Sequence, residues 1–398
     1  MSDHFLQWLE TLVRWLHITA GAAWIGTSFY FNWLNNNLRP PEGEADAEAG
    51  VKGELWAVHG GGFYRVLKYG VAPPKLPGTL HWFKWEAYFT WISGFVLLSL
   101  VYFLGAGLFL IDPAKAALSP WEATGIGVGV LVAGWVIYDL LCKSPIIKLK
   151  VVFAGVGFAL MTALAWALCA VFQSRGAYLL VGALIGTIMA ANVFFGIIPG
   201  QREMVVAMEQ GRAPDPRAGQ KAALRSLHNN YLTLPVLFIM ISNHYPHTYG
   251  HAWDWAILAA LALISAGVRH WFNLRGRGQY NSWILPVAAL AMIGLALVTA
   301  PRKAPVAGPT GPVSFAQVQG IVQTRCAVCH AEHPTFPGNV SAPKDLKLDT
   351  PERIRAAAEQ IKAKAVTTQY MPLANLTQMT DEERACLGRW IDDGAQAE

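Results

Sequence analysis

Charge is scarce in this sequence. Asp, Glu, Lys and Arg make up 14% of its residues, against about 25% in soluble domains. Hydrophobic residues reach 54%. Cysteine is scarce as well, at five in 398 residues. Two of the five (Cys142, Cys169) fall in apolar segments and three (Cys326, Cys329, Cys386) near the end, which excludes a disulfide framework. Dense Lys/Arg runs and basic arms are missing, so the net charge of +5 gives no support to nucleic-acid binding. The N-terminal stretch MSDHFLQWLETLVRW has neither a basic n-region nor a small-residue cleavage site. Its apolar segment is therefore expected to stay as a membrane helix.

What the chain does have is long apolar segments and 16 Trp, a residue that suits membrane–water interfaces. A spanning helix needs roughly 20 mainly apolar residues. Eight segments meet that need: 9–34, 86–110, 121–142, 147–172, 177–199, 229–244, 254–272 and 281–300. The loops between them alternate in charge. Residues 35–85, 143–150, 200–228 and 273–280 hold sixteen Lys/Arg; the intervening loops hold only Lys115 and Arg175. The positive-inside rule makes the rich set cytoplasmic and places both termini outside. Residues 301–312 are a Pro/Gly-rich linker, and residues 313–398 are polar, with apolar runs too short to span lipid. The expected fold is all-α: a transmembrane bundle over 1–300, a linker, and a small outer domain.

That outer domain contains QTRCAVCHAEHP, a C-x-x-C-H motif at Cys326, Cys329 and His330. The spacing suits haem c: two thiols form thioethers at one porphyrin edge and the adjacent His is an axial iron ligand. Zinc would need a second ligand pair at finger-like spacing, and none follows. A thioredoxin-type pair would sit in a βαβ pattern, and this one sits in helical sequence. Resemblance to class I cytochromes c implies a Met as the sixth ligand, about 40 residues on, and both Met371 and Met379 lie in that region. Thr380 with Glu383 reads as a capping box, which puts Met379 at a helix entrance and favours Met371.

Ionisable groups inside a bilayer are functional suspects. His17 lies among apolar residues with Gly21 and Gly26 nearby, and reads two ways: as a haem b ligand or as a buried hydrogen-bonded histidine. Three further stretches are too polar for simple spanning. They are RSLHNNYLTLP with Arg225, His228, Asn229 and Asn230; AANVFFGIIPGQRE with Asn192 and Arg202; and the Gly-rich loop VHGGGFYRVLKYG with His59 and Arg65. The Gly run is no phosphate loop, having no G-x-x-x-x-G-K. All three face the cytoplasm on this topology and suit a planar, anionic, hydrogen-bonding ligand.

These stretches, with LHITAGAAWIGTSFY and a C-terminal C-x-x-C-H domain, resemble the membrane-bound bacterial urate oxidases (urate hydroxylases). The resemblance covers nearly the whole chain. It implies oxidation of urate to 5-hydroxyisourate in purine breakdown, with electrons passing to the attached cytochrome c. From there they would go to a soluble cytochrome c or a respiratory cytochrome c oxidase. The first helix also loosely resembles haem-binding membrane oxidoreductases of the protoporphyrinogen-oxidase type. Under this reading Arg65, Arg202 and Arg225 pair with urate oxygens, Asn229 and Asn230 read the ring, and His59 or His228 is the base. A cytochrome-linked dehydrogenase for another donor, and a non-catalytic electron-transfer subunit, are the competing functions.

Overall fold

The structure is a computed structural model that describes residues 3–300, 311–336 and 341–396. Helices dominate. Among the described residues, the α-helices of twelve or more residues before residue 300 are α1 Asp3–Asn37, α2 Trp85–Leu98, α3 Pro120–Lys143, α4 Lys150–Val171, α5 Ser174–Ala191, α6 Ile198–Glu209, α7 Pro216–Ile241, α8 Asp254–Gly276 and α9 Ile284–Val298. Those of six or more residues near the C-terminus are α10 Phe315–Val322, α11 Pro351–Ala356 and α12 Asp381–Asp392. By contacts, Trp8–Asn243 with Trp253–Leu295 form one compact unit, and Ala296–Glu398 with Met1–Gln7 and His244–Ala252 form the other. Most of the linker proposed at 301–312 (residues 301–310) lies outside the described residues.

Local chemistry explains the helix ends of the first unit. Ser119 caps α3 reciprocally with Glu122: its hydroxyl takes the Glu122 N–H at 3.3 Å, and the Glu122 carboxylate takes the Ser119 N–H at 2.8 Å. Asp215 caps α7 by accepting from Arg217 N at 2.9 Å, with Pro216 at the first helical position. Between α5 and α6 the backbone widens into a π-helical turn, Asn192–Ile197. Pro199 has no N–H to give the preceding turn, which accounts for the local change of hydrogen bonding. The fifth apolar segment thus continues far beyond residue 199, as one run from Ser174 to Glu209.

Among the described residues five helices are long and apolar enough to cross a membrane: Trp85–Phe103, Pro120–Lys143, Lys150–Val171, Ser174–Glu209 and Asp254–Gly276. Ile284–Val298 is a shorter apolar helix with no buried residue. Large apolar side chains such as Val132, Leu140, Val151, Trp166 and Leu290 point outward from these helices. Such exposure is compatible with lipid around the unit and would be a liability in water. The centre of the unit is α5, which packs against α2, α3, α4 and α7 and buries Tyr178, Leu180, Val181 and Leu184.

One expectation needs correction. The fold is not all-α, because the stretch between the first two apolar segments contains a β-hairpin, β1 Val51–His59 antiparallel to β2 Gly62–Tyr69. The run read as a Gly-rich loop is its turn. Gly60 and Gly61 take φ of 58° and 81°, the two left-handed positions that a two-residue hairpin turn requires.

The second unit has its own apolar core. Phe315, Val318 and Val322 of α10 meet Leu387, Trp390 and Ile391 of α12, together with Leu348, Ile354 and Ile361. The Phe315 and Trp390 rings lie 5.7 Å apart. Ser314 and Thr380 cap these two helices with full capping boxes.

Close packing of α5 on α7 can be tested. A Cβ at Gly182 would meet Ile239 Cγ2 at 2.4 Å, whereas a Cβ at Gly186 meets nothing within 4 Å. Gly182→Ala is expected to cost about 1–3 kcal/mol through overpacking. Gly186→Ala should be neutral or stabilise by up to about 1 kcal/mol. Thermal unfolding of the detergent-solubilised protein measures both, and equal loss in the two variants would contradict the packing.

Candidate functional site

The polar stretch at 225–230 lies on α7, and helical spacing splits it between two faces. Arg225, His228 and Asn229, at i, i+3 and i+4, share one face. That face meets α3 and the π-turn. Arg225 Nη1 donates to Asn192 Oδ1 at 3.0 Å and Nη2 to Asp139 Oδ1 at 2.6 Å. Asp139 also pairs with Lys143 at 2.6 Å. Asn192 Nδ2 is shared between Tyr138 Oη at 2.9 Å and Asn229 Oδ1 at 2.8 Å. Asn229 Nδ2 donates to the Met189 carbonyl at 2.9 Å. Tyr138 Oη and His228 Nδ1 are hydrogen-bonded at 2.8 Å. The His228 ring stacks on Phe153 at 4.8 Å, and the Arg225 guanidinium lies 5.1 Å from the Tyr138 ring. Arg225 and Asn229 use their polar atoms on neighbours, so this cluster is satisfied from within.

Asn230 belongs to the other face and is completely buried. Its Nδ2 donates to Asn273 Oδ1 at 2.9 Å, and its Oδ1 accepts a short bond from Arg269 Nε. Arg269 and Asn273 sit one turn apart on α8. The Arg269 guanidinium stands 4.3 Å from the Phe29 ring of α1. Beside this group Tyr231 Oη meets His270 Nδ1 at 2.6 Å.

The remaining expected residues lie elsewhere. Arg65 is on β2, where Glu54 and Asp46 bind it and hold its guanidinium above its ordinary pKa. His59 is exposed at the hairpin turn, and Arg202 is exposed on α6. Among the described residues no hydrogen bond or ring contact joins His59 or Arg65 to the α7 clusters. His17 Nδ1 donates to the Thr90 carbonyl at 3.0 Å and lies 3.2 Å from Ser93 Oγ, with Gly94 giving its ring room. This holds the imidazole in one tautomer and leaves Nε2 without a hydrogen bond, the arrangement a metal-ligating His also needs.

Sequence reasoning missed Tyr138, Asp139, Arg269 and Asn273. Two of these had a signal. Asp139 is a carboxylate in the C-terminal part of α3, and Arg269 is a cation inside SAGVRHWF. Both are charges within apolar spans, where a charge is costly unless partnered.

In the second unit, Cys329 N and His330 N both bond to the Cys326 carbonyl, at 3.1 and 2.9 Å, so one turn gathers the motif. His330 Nδ1 donates to the Leu346 carbonyl at 3.0 Å, leaving Nε2 for a ligand. Burial pushes the Cys326 thiol up to about 12. Met379 is sealed in the core, its backbone bonded at both N and O by the Asn375 side chain. Met371 is only half-buried at the core's margin. A thiol pair gathered on one turn beside a His with Nε2 available is the donor set that a C-x-x-C-H haem attachment would need. Among the described residues no group of three or more His, Cys, Asp or Glu could hold a metal ion.

The first unit therefore defines a helical protein with an apolar exterior and a charged, amide-rich interior, compatible with a membrane. The urate oxidase N-terminal family model matches residues 3–300, and the chain belongs to that family. Membership implies an oxidoreductase related to urate oxidation. No curated protein and no solved structure matches the chain. The C-x-x-C-H unit lies beyond the matched residues.

The Arg225–Asp139 pair yields a prediction. Asp139→Asn leaves a poorly compensated cation and should cost about 2 kcal/mol. Arg225→Gln combined with Asp139→Asn should recover most of that loss. A double-variant cycle on unfolding midpoints reads the coupling, and strict additivity would contradict it.

Proposed function

We propose that this chain is an oxidoreductase of the bacterial cytoplasmic membrane that oxidises urate to 5-hydroxyisourate. It hands the electrons to a haem c on its own C-terminal domain, and from there to a soluble cytochrome c or a respiratory oxidase. The family match over residues 3–300, in a chain that adds a C-x-x-C-H domain, is the observation that carries this reading. Membrane insertion with eight spans and both termini outside is supported by helices in all eight apolar segments and by the Lys/Arg asymmetry of the loops.

The chemistry balances simply. Urate gains a hydroxyl group at C5 from water and releases two protons and two electrons. When bound, haem c supplies a one-electron acceptor. Cys326 and Cys329 would carry its thioethers, and His330 and Met371 its iron. The α7 stripe supplies the protein's part. His228, hydrogen-bonded to Tyr138 on the α7 face opposite Asn230, would pass released protons onward rather than touch the substrate. Arg225 and Asn229 fix α7 against α3 and the π-turn, so that the stripe is already ordered when substrate arrives. His59 and Arg65 lie on the hairpin and would act at the cytoplasmic entrance.

A cytoplasmic-side site and an outer haem c are separated by roughly 30 Å of hydrocarbon, so a relay is part of the proposal. His17, with Nε2 unengaged, would hold a haem b there.

Urate added to purified protein under nitrogen is expected to reduce haem c. His228→Ala and Arg225→Ala should both slow turnover. Wild-type turnover in both would contradict the stripe. Met371→Leu should remove the weak Met–iron charge-transfer band, while Met379→Leu keeps it and loses stability instead. Pyridine haemochrome spectra should show non-covalent haem b besides haem c, and His17→Ala should remove it; haem c alone would exclude the relay.

A further inference from the structure

Among the described residues the first unit buries one arginine, and no carboxylate pairs with it. Arg269 is 9% exposed, and its polar contacts are Asn230 Oδ1 and the face of Phe29. Of the arginines that the sequence favoured, Arg225 is neutralised by Asp139 and Arg65 by Glu54 and Asp46, while Arg202 is exposed on α6. A second donor waits beside Arg269. Asn273 is 4% exposed, and its Nδ2 is the one buried side-chain atom among the described residues without a hydrogen bond. A buried cation without a counter-charge is costly, and costlier still in lipid. An orphaned amide donor adds to that cost. Both costs vanish if an anion completes the site.

We propose that the Arg269–Asn273 corner is the seat of the urate monoanion. This rests on the urate reading and states where the substrate binds. The free guanidinium N–H groups pair in-plane with the anionic edge of the ring system, and Asn273 Nδ2 donates to a neighbouring oxygen or nitrogen. Phe29 supplies the apolar wall. Asn230 orients both groups, so it is a positioning residue. The ligand class is a planar heterocyclic monoanion: a neutral quinone headgroup would leave the charge uncompensated.

The site also bears on the electron path. Phe29 and His17 are on the same helix, α1, twelve residues apart. That is about 18 Å along the axis, with His17 displaced toward the outer side. A relay held at His17 would thus divide the crossing from this corner.

The test is equilibrium dialysis of labelled urate against the full-length detergent-solubilised protein, with turnover measured in parallel. Arg269→Gln is expected to weaken binding about ten- to hundredfold, and Arg269→Lys less. Asn273→Asp places a carboxylate one turn from Arg269. It should abolish urate binding while leaving the melting temperature equal to or above the parent's, an effect no purely structural role for Asn273 would give. It also carries the test if Arg269→Gln does not fold. Equimolar inorganic phosphate should not displace urate; displacement would assign the corner to a tetrahedral anion, a lipid phosphate included, and overturn the proposal. An active parent whose variants all bind urate normally would overturn this site and leave the urate reading standing. A parent that neither binds nor oxidises urate would overturn the urate reading itself.

Discussion

The Arg225–Asp139 ion pair ties α3 to α7 where the π-turn brings Asn192 between them. An apolar exterior dictates this kind of interior. Helices whose outer faces carry Val, Leu and Trp cannot direct amides and charges outward, so each polar group must find its partner inside. Asn192 illustrates the economy: one amide serves Tyr138, Asn229 and Arg225. Removing one member leaves several others unsatisfied, so the cluster acts as a unit.

The same constraint gives meaning to its exception. Groups that remain unpaired in such an interior are held there at a cost and point to a partner that comes from outside the chain. On α7 the two faces differ in this respect. The face bearing Arg225 is complete, while the face bearing Asn230 leads to a cation and an amide with capacity left over. Asn229 and Asn230 are successive residues, so the rigid cluster positions the incomplete one through a single stretch of helix. The C-terminal unit obeys a different rule. It is small, builds a core from α10 and α12, and presents a motif whose His330 and Met371 stand at or near the edge of that core. Haem burial would complete it, as small domains need more apolar contact than their chain supplies.

Five of the eight expected segments, those matched by Trp85–Phe103, Pro120–Lys143, Lys150–Val171, Ser174–Glu209 and Asp254–Gly276, were legible as membrane-length helices because a run of about 20 apolar residues matches the thickness of a bilayer, a length that a soluble core does not demand. The hairpin was not. Its strands expose Trp56, Val58 and Phe63, so they lack the apolar/polar alternation that marks a strand, and Gly60–Gly61 reads equally well as loop. Helix ends were blurred where charge begins: α7 starts at Pro216, well before the apolar span at 229. At the site, His228 and Asn229 stood out as polar residues at a helix entrance. Their grouping with Asn230 followed sequence adjacency, which a 100° turn per residue undoes. Asp139, Arg269 and Asn273 come from other helices, and no spacing within one sequence reports which helices touch.

Urate oxidation as proposed here sends electrons to a haem rather than to dioxygen. Turnover in ¹⁸O-labelled water under nitrogen, with a soluble cytochrome c as terminal acceptor, is the decisive measurement. Labelled 5-hydroxyisourate and two equivalents of reduced cytochrome per urate are expected. Turnover that requires dioxygen and yields hydrogen peroxide would contradict the proposed electron path.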